Sequence, residues 1–369
     1  MLSCASLAQP TVLDLNGSFW IDFHQGIGIH IQQYISISKK KRMQEKKVDI
    51  IDGSIQEKSW AFILNTYQIT CDLPFSISPT IQLKKATAEQ ICKIKDILNP
   101  QVSGGIIHQY ESLREELDQN TNSYPIRYLP EDEWRYYIVE FDQGEPERLN
   151  LQFASNVSKM PIDLSTCFYS KGRSQGMISS RPFSTFNAIP YKEPKKIGLS
   201  ELEDLAEIYK QSMSVMSELS DSSVVMFPEI QRALELLDSL SLIPGYSNFH
   251  ILGLFAIIEM LITHNPKLED RGDSITHQMH SKIPLLSNRF TKKISYTEFF
   301  GNTSEKKVWS ALYKYRSAIA HGGSPDFSKG ELALLKDPIT AKIFLLGVVR
   351  KIIRHALIEP ILYRDLREC

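Results

Sequence analysis

The chain has 369 residues, of which 42% are hydrophobic and 23% are charged, and its formal net charge is −1. These proportions exclude a disordered or fibrous protein, and so small a net charge excludes a global basic field for binding nucleic acid. The five scattered cysteines form no C-x-x-C pair, and no apolar run is long enough to span a membrane, so the sequence predicts a soluble protein of the reducing cytoplasm.

The first half of the chain has mainly the pattern of β-strands. Apolar residues alternate with polar ones, or aromatic and β-branched residues cluster, in short runs. These runs lie at 18–23, 27–37, 60–71, 136–141 and 165–169. Helices are predicted at 87–98, where Thr87 and Gln90 have the spacing of a capping box, and at 107–117. We therefore predict a strand-rich α+β domain over residues 1–195.

After this boundary the pattern becomes helical. Ser200 and Glu203 have the spacing of a capping box, and Pro228 is expected to begin a second helix. The run 249–263 is apolar nearly all round, which is typical of a central, buried helix. Further helices are predicted at 274–286, 305–320 and 341–363. Short connections between these helices predict an all-α bundle over residues 196–369.

Arg316 and His321 stand near the end of one predicted helix. A separation of five residues corresponds to about 140° on an ideal helix, so the two side chains cannot share a face while the helix continues. Gly322 and Gly323 follow directly, and glycine is the residue that most often ends a helix. If the helix stops there, the imidazole can turn toward a substrate that the guanidinium also contacts.

A guanidinium beside an imidazole suits phosphodiester chemistry. An imidazole at His321 can take or give a proton near neutral pH, and Arg316 can hold the scissile phosphate and offset its developing charge. This chemistry requires no metal ion and no other cofactor, and we predict none. One histidine per chain is too few for two proton transfers, so we expect two copies to form a homodimer across a two-fold axis.

The run Leu312-Tyr-Lys-Tyr-Arg-Ser-Ala-Ile-Ala-His-Gly322 resembles the signature of HEPN domains, particularly the ApeA-like subgroup. In that signature an aromatic residue precedes Arg, a small polar residue follows it, and His-Gly ends the helix. A buried upstream helix with an acidic residue and a long downstream helix also fit. The resemblance covers roughly the last 170 residues of the chain, and it does not extend to the N-terminal half.

The resemblance implies a helical bundle that dimerises through its motif helices and cuts RNA without a metal, in phage defence or a toxin-type system. Arg316 and His321 would then be the catalytic pair, and Ser317 would orient them. Glu259 and Tyr313 would contact the catalytic pair and hold it in place without contacting the substrate. The N-terminal domain would sense a phage or host trigger, or restrain the dimer. The alternative is a non-catalytic module that dimerises and binds a nucleotide or RNA with the same residues.

Basic residues concentrate before the motif. From Lys282 to Arg316 the chain has eight basic residues and two acidic ones, a local charge of +6 that would attract a polyanion. The residues predicted to bind RNA are Lys292, Lys293, Lys306, Lys307 and Lys314. Another basic run, at 39–42, is typical of a solvated loop, with a nucleic-acid contact or a targeting signal as the alternatives. His277 and His280 have no cysteine or carboxylate at ligand spacing, so we predict no metal site.

Overall fold

A computed structural model describes the chain over residues 58–98, 109–115, 124–171, 174–179, 193–216, 226–245, 247–264 and 274–368. The strands predicted at 18–23 and 27–37, and the basic run at 39–42, lie outside the described residues. The described residues form an α+β protein, as predicted, in which a strand-rich region is followed by a helical region.

A six-stranded sheet forms the centre of the strand-rich region. The described residues contain ten strands, of which six belong to this sheet and four form two smaller sheets. They are β1 (Ser59–Phe62), β2 (Tyr67–Ile69), β3 (Phe75–Ser78), β4 (Ile81–Lys85), β5 (Ser112–Arg114), β6 (Ile126–Tyr128), β7 (Tyr137–Phe141), β8 (Thr166–Lys171), β9 (Ser174–Ser179) and β10 (Lys195–Ile197). The sheet has the order β3-β4-β7-β1-β8-β9, and all its neighbouring strands are antiparallel. β2 pairs with β10 in parallel, and β5 pairs with β6 antiparallel. The strands predicted at 136–141 and 165–169 are confirmed, whereas the run 60–71 divides into β1 and β2.

The centre of the six-stranded sheet is buried on both faces. In β7, Val139 joins the main hydrophobic core, whereas its neighbour Ile138 joins a second cluster on the opposite face. The helix α1 (Ala88–Leu98) covers that opposite face with Ile94 and Leu98. Because both faces are covered, the central strand reads as a nearly continuous apolar run rather than as a strict alternation.

The segment between α1 and β7 differs in part from the prediction. The capping box predicted at Thr87 is present, since the Thr87 N–H donates to the side-chain oxygen three residues later at 2.9 Å. The helix predicted at 107–117 is wrong at its centre, which forms β5. The buried Arg135 guanidinium donates to the carbonyls of Gln109 and Ser112, so a side chain satisfies backbone acceptors there.

Helices form most of the remaining structure. They are α2 (Glu145–Val157), α3 (Leu199–Met216), α4 (Pro228–Leu240), α5 (Phe249–Ile262), α6 (Ile275–Arg289), α7 (Thr297–Phe300), α8 (Glu305–Ala320), α9 (Pro338–Ile358) and α10 (Pro360–Glu368). The helices predicted to begin at Pro228 and to lie at 249–263, 274–286 and 305–320 are confirmed. Among the described residues, no helix combines the length and the apolar composition needed to cross a membrane.

Two helix ends differ from the prediction. The single helix expected at 341–363 is wrong, because Pro360 begins a separate helix and cannot donate a backbone hydrogen bond to the preceding one. The capping box expected at Ser200 is also wrong. Instead, Ser200 lies inside α3, which begins at Leu199, and the Glu201 carboxylate accepts the Gly198 N–H at 3.0 Å.

The hydrophobic core is continuous across the predicted domain boundary at residue 195. Strand β10 crosses this boundary, and its Ile197 belongs to the same core as Ala61 of the sheet and Phe255 of α5. The Arg354 guanidinium of α9 also donates to the Val157 carbonyl at the end of α2, at 3.1 Å. The division into domains at 1–195 and 196–369 stays a prediction, while the described parts of both share one core.

Candidate functional site

The helix α8 ends where the motif requires it to end. His321 is the C-cap residue, and its N–H donates to the Ser317 carbonyl at 3.1 Å. Gly322 follows in the left-handed region with φ +70°, and its N–H donates to a helix carbonyl three residues back at 3.0 Å. The Gly323 N–H donates to the Ala318 carbonyl at 2.8 Å. The last two bonds form a Schellman motif, which satisfies carbonyls at the helix end and redirects the chain.

His321 therefore lies at the open end of α8. Its side chain is exposed, and no hydrogen bond or ion pair from any described residue holds the ring. Ser317, one turn earlier, is half-buried. The helix end predicted from the glycines is confirmed, but no hydrogen bond or ion pair among the described residues joins the His321 ring to Arg316.

Arg316 is paired with a residue of another helix. Its Nη2 lies 3.5 Å from the Glu259 Oε2, on α5, and 32% of its side chain remains exposed. The guanidinium carbon also lies 5.7 Å from the centre of the Tyr313 ring, within the range of a cation–π contact. Tyr313 in turn packs edge-on against the Phe255 ring, with centroids 6.2 Å apart. The structure thus brings Glu259 and Tyr313 to Arg316 and leaves part of the guanidinium open to an anion.

Glu259 is a largely buried carboxylate, with 18% of its side chain exposed. Burial raises the pKa of Glu259, and the positive charge of Arg316 acts in the opposite direction without cancelling the shift. Its Oε1 is buried and has no hydrogen-bond partner in the described part of the chain. The pair is therefore a long ion contact with one unsatisfied oxygen rather than a bidentate clamp.

One face of α8 fixes the helix in the core. Val308, Ala311, Leu312 and Tyr315 on this face are all buried. The Tyr315 hydroxyl donates to the Asn248 Oδ1 at 3.2 Å, just before α5. The Arg316 side of the helix is thereby held in a defined orientation relative to the helix that carries its carboxylate partner.

A polar chain anchors the start of α8. The Trp309 Nε1 donates to the Tyr296 hydroxyl at 2.9 Å, and that hydroxyl donates to the Glu305 Oε1 at 2.8 Å. Trp309 is almost completely buried, so this hydroxyl supplies the acceptor that its indole N–H needs. The contact determines how the first turns of α8 sit on the segment before it.

The lysines predicted to bind RNA are exposed, but they do not form one cluster. Lys306 and Lys307 lie in the first turn of α8, roughly 20 Å along the helix from its end. Lys314 pairs with Glu331, with 3.7 Å between Nζ and Oε2. Lys292 and Lys293 follow α6, and the Lys292 carbonyl accepts the Lys351 Nζ at 2.6 Å. A ligand that reaches both ends of α8 must therefore be extended.

His280, which the sequence pattern leaves aside, lies near one of these lysines. Burial lowers the pKa of His280, and the nearby charges of Lys306 and His277 lower it further. Its Nε2 is buried and has no hydrogen-bond partner among the described residues. These residues belong to α6 and α8, so only the tertiary packing brings them together. Within the described residues, no group of three or more histidine, cysteine or carboxylate side chains could hold a metal ion.

The arrangement can do two things chemically. The part-exposed Arg316 can bind an anion, and the exposed imidazole beyond the end of α8 can exchange protons with a bound group. Comparison with known proteins finds no family model, no curated protein and no solved structure that matches the chain.

Proposed function

We propose that the chain is a metal-independent endoribonuclease, with Arg316 and His321 as its catalytic pair and Ser317 as the residue that orients them. The observation that carries the proposal is the end of α8 at His321, followed by a left-handed Gly322. An uninterrupted helix would hold the two side chains about 140° apart. The helix end gives the imidazole the freedom that a shared phosphate site demands.

The chemistry assigns one role to each group. An imidazole takes the proton from an RNA 2′-hydroxyl, and the 2′-oxygen attacks the adjacent phosphorus. Arg316 holds the non-bridging oxygens while their negative charge grows. The 5′-oxygen then leaves and receives a proton from an imidazolium. The products are a 2′,3′-cyclic phosphate and a 5′-hydroxyl end.

Two proton transfers call for two imidazoles, and each copy of the chain supplies one at this position. A homodimer that pairs two α8 ends in one cleft would provide a base and an acid. A mixing experiment tests this step. When wild-type and His321→Ala chains are refolded together in equal amounts, about one quarter of the dimers hold two wild-type copies by random pairing. Cleavage should fall to about that fraction of a pure wild-type sample of equal total protein, whereas independent sites would retain about half.

The proposed setting is a cytoplasmic effector of phage defence or a toxin-type system. RNA would be its substrate, and the region before residue 195 would respond to a phage or host trigger. Resemblance of the Arg316 motif to HEPN domains of the ApeA-like subgroup supports this part of the proposal. The exposed Lys306 and Lys307 at the start of α8, and Lys314 further along it, are compatible with an extended polyanion.

Cleavage of transfer RNA and messenger RNA by the purified chain, in the presence of a chelator, tests the reaction. The wild type should cut RNA, and both Arg316→Ala and His321→Ala should lower the rate at least about a hundredfold. Matched controls are His277→Ala and Arg364→Ala, which change an exposed histidine and an exposed arginine elsewhere. Cleavage that survives both motif substitutions, or that stops with chelator alone, would contradict the proposal.

One observation favours a second candidate, a module that binds a nucleotide or RNA without cutting it. Glu259 already neutralises part of the Arg316 charge, at 3.5 Å. Phosphate binding needs a smaller surplus of charge than stabilising a transition state does. This candidate predicts that Arg316→Ala abolishes RNA binding, that His321→Ala leaves it unchanged, and that no product forms under any condition.

A further inference from the structure

Five cationic residues from separate segments form a line in which each is linked to the next, through a backbone carbonyl, a shared carboxylate or one turn of helix. We call this line the basic strip, and its members are Lys292, Lys351, Arg354, Lys159 and Lys195. They come from the turn after α6, from α9, from the loop after α2, and from β10. No run of residues in the sequence connects them, so the strip exists only in the folded chain.

The contacts along the strip run from end to end. The Lys351 Nζ donates to the Lys292 carbonyl at 2.6 Å, and Arg354 stands one helical turn further along α9. The Lys159 Nζ lies 3.9 Å from the same Asp204 carboxylate that Arg354 binds. At the far end, the Lys195 Nζ donates to the Lys159 carbonyl at 2.8 Å.

Charge along the strip is only partly balanced. Asp204 is the carboxylate bound within it, and both of its oxygens accept hydrogen bonds from Arg354, at 2.7 and 2.9 Å. The ammonium groups of Lys351 and Lys195 bind carbonyl oxygens, which leaves their charges without a bound carboxylate among the described residues. Burial lowers the pKa of Lys351, the charge of Lys292 lowers it further, and Glu298 opposes this shift. Crowded cations of this kind attract an anion.

Arg350 lies one turn before Arg354 on α9, next to the strip. The residue is half-buried, and its Nε is buried without a hydrogen-bond partner in the described part of the chain. No carboxylate among the described residues lies within ion-pair distance of it. Burial lowers the pKa of Arg350, and its charge interacts with the buried Tyr67 of β2, so Arg350 borders the strip on its inner side.

We propose that the basic strip is a docking surface for the phosphate backbone of RNA. An extended line of cations matches a chain of repeating phosphates, whereas a single phosphate group would need cations that converge on one point. The choice of RNA among polyanions rests on the proposed ribonuclease function. Because Lys292 belongs to both the strip and the predicted RNA-binding set, the strip extends that set onto α9, α2 and β10.

No hydrogen bond or ion pair among the described residues joins the strip to Arg316 or His321. The strip therefore affects how RNA binds and not how its phosphodiester is cut. Lys195→Glu with Lys351→Glu should weaken binding of long RNA and leave the cleavage of a dinucleotide unchanged. This separation allows the strip to be tested apart from the catalytic pair.

The test measures binding of a fluorescently labelled single-stranded RNA to the full chain carrying His321→Ala, across a salt series. Adding Lys195→Glu and Lys351→Glu should weaken binding about tenfold and lower the salt slope by about 0.7 for each lost contact. The matched control reverses the charge of Lys93 and Lys210, which lie on α1 and α3, and should bind within about twofold of the parent. Lys195→Gln with Lys351→Gln, which removes the charges without reversing them, should give a smaller loss in the same direction.

Each outcome bears on the strip. Equal binding by the strip and control variants, with both folded by circular dichroism, would overturn the proposal. If the strip variants lose binding to phosphatidylserine vesicles but bind RNA as well as the parent does, the strip is a membrane surface and the proposal is overturned. If the wild type cuts no RNA but strip variants lose RNA binding, the ribonuclease proposal fails and the strip stands. If the wild type cuts RNA and the strip variants bind and cut long RNA as well as the wild type does, the strip proposal fails and the ribonuclease proposal stands.

Discussion

The Arg316 guanidinium lies 3.5 Å from the carboxylate of Glu259, which belongs to a different helix. The cation that the motif supplies is therefore already paired before any substrate binds. A phosphate that approaches Arg316 has to share the guanidinium with Glu259 or displace that carboxylate. The strength of the pair thus influences both the stability of the bundle and the affinity of the site.

Replacing Glu259 by Gln should alter stability in a pH-dependent way. Burial raises the pKa of Glu259 in the folded chain, so the folded state binds this proton more tightly than the unfolded state does. The stability that protonation contributes is complete below the unfolded pKa, and it is lost as the pH rises through the folded pKa. Glu259→Gln should thus gain stability relative to wild type as the pH rises above the unfolded pKa of about 4.

Urea unfolding of both proteins at several pH values measures this difference. Glu298→Gln, which changes an exposed glutamate, is the control and should show no such trend. If the wild type instead gains stability relative to Glu259→Gln as the pH rises, the ion pair with Arg316 lowers the pKa of Glu259 by more than burial raises it. The same variant should also bind RNA a few-fold more tightly, because Arg316 loses its competing carboxylate.

Replacing Gly322 by Ala should destabilise the end of α8. Gly322 has φ +70°, a conformation that costs a residue with a Cβ about 1–2 kcal/mol. At Gly323 a Cβ would lie 3.1 Å from the Ala318 carbonyl oxygen, so Gly323→Ala should also be unfavourable. Thermal unfolding should show both losses. Gly347→Ala, in the exposed middle of α9, should instead stabilise the chain by about 1 kcal/mol. Destabilisation by Gly347→Ala would contradict the prediction that the cost at Gly322 and Gly323 comes from their local backbone geometry.

Replacing Tyr296 by Phe should weaken the anchoring of α8. The buried Trp309 Nε1 would lose its acceptor, at a cost of about 1–3 kcal/mol in unfolding free energy. Tyr124→Phe, which alters a half-exposed ring, is the control and should change stability by less than about 0.5 kcal/mol. Chemical denaturation measures both. An equal, small effect of the two substitutions would show that the polar chain does not hold the helix.

Local signals predicted α8 and its end correctly. The helical pattern over 305–320 and the glycines after His321 depend on neighbouring residues alone, and the structure has both the helix and its end there. The strand β5 could not be predicted in this way. Its backbone groups are satisfied by pairing with β6 and by Arg135, which are contacts with later residues. A strand such as β5, which depends on residues far along the chain, cannot be predicted from the residues of the strand alone.

The partner of Arg316 could be named from the sequence but not positioned. Resemblance to a motif pointed to Glu259, while the 3.5 Å contact depends on how α5 crosses α8. Apart from Lys292, the members of the basic strip were not predicted, since they are separated by long stretches of chain and show no pattern. Cations that folding brings together from distant parts of the chain show no periodic pattern in the sequence, so only the tertiary structure identifies them.

Replacing Asp204 by Asn should destabilise the contact between α3 and α9. Burial opposes ionisation of Asp204, but hydrogen bonds from Arg354 and from the Lys159 N–H outweigh it, and the pKa is lowered. The stabilisation is present above the unfolded pKa of about 4 and is lost as the pH falls through the folded pKa. At neutral pH we expect a loss of about 1–3 kcal/mol, since Arg354 is partly exposed and water screens the pair.

Urea unfolding at neutral and acidic pH checks this prediction, with Asp365→Asn as the control because Asp365 is exposed. The difference between wild type and Asp204→Asn should shrink toward low pH, and a difference that stays constant would show that the lost contact is not electrostatic. Asp204→Asn should also bind RNA more tightly, because it removes the carboxylate bound within the basic strip while keeping the cations. Unchanged affinity in a folded Asp204→Asn variant would mean that RNA does not contact this part of the strip.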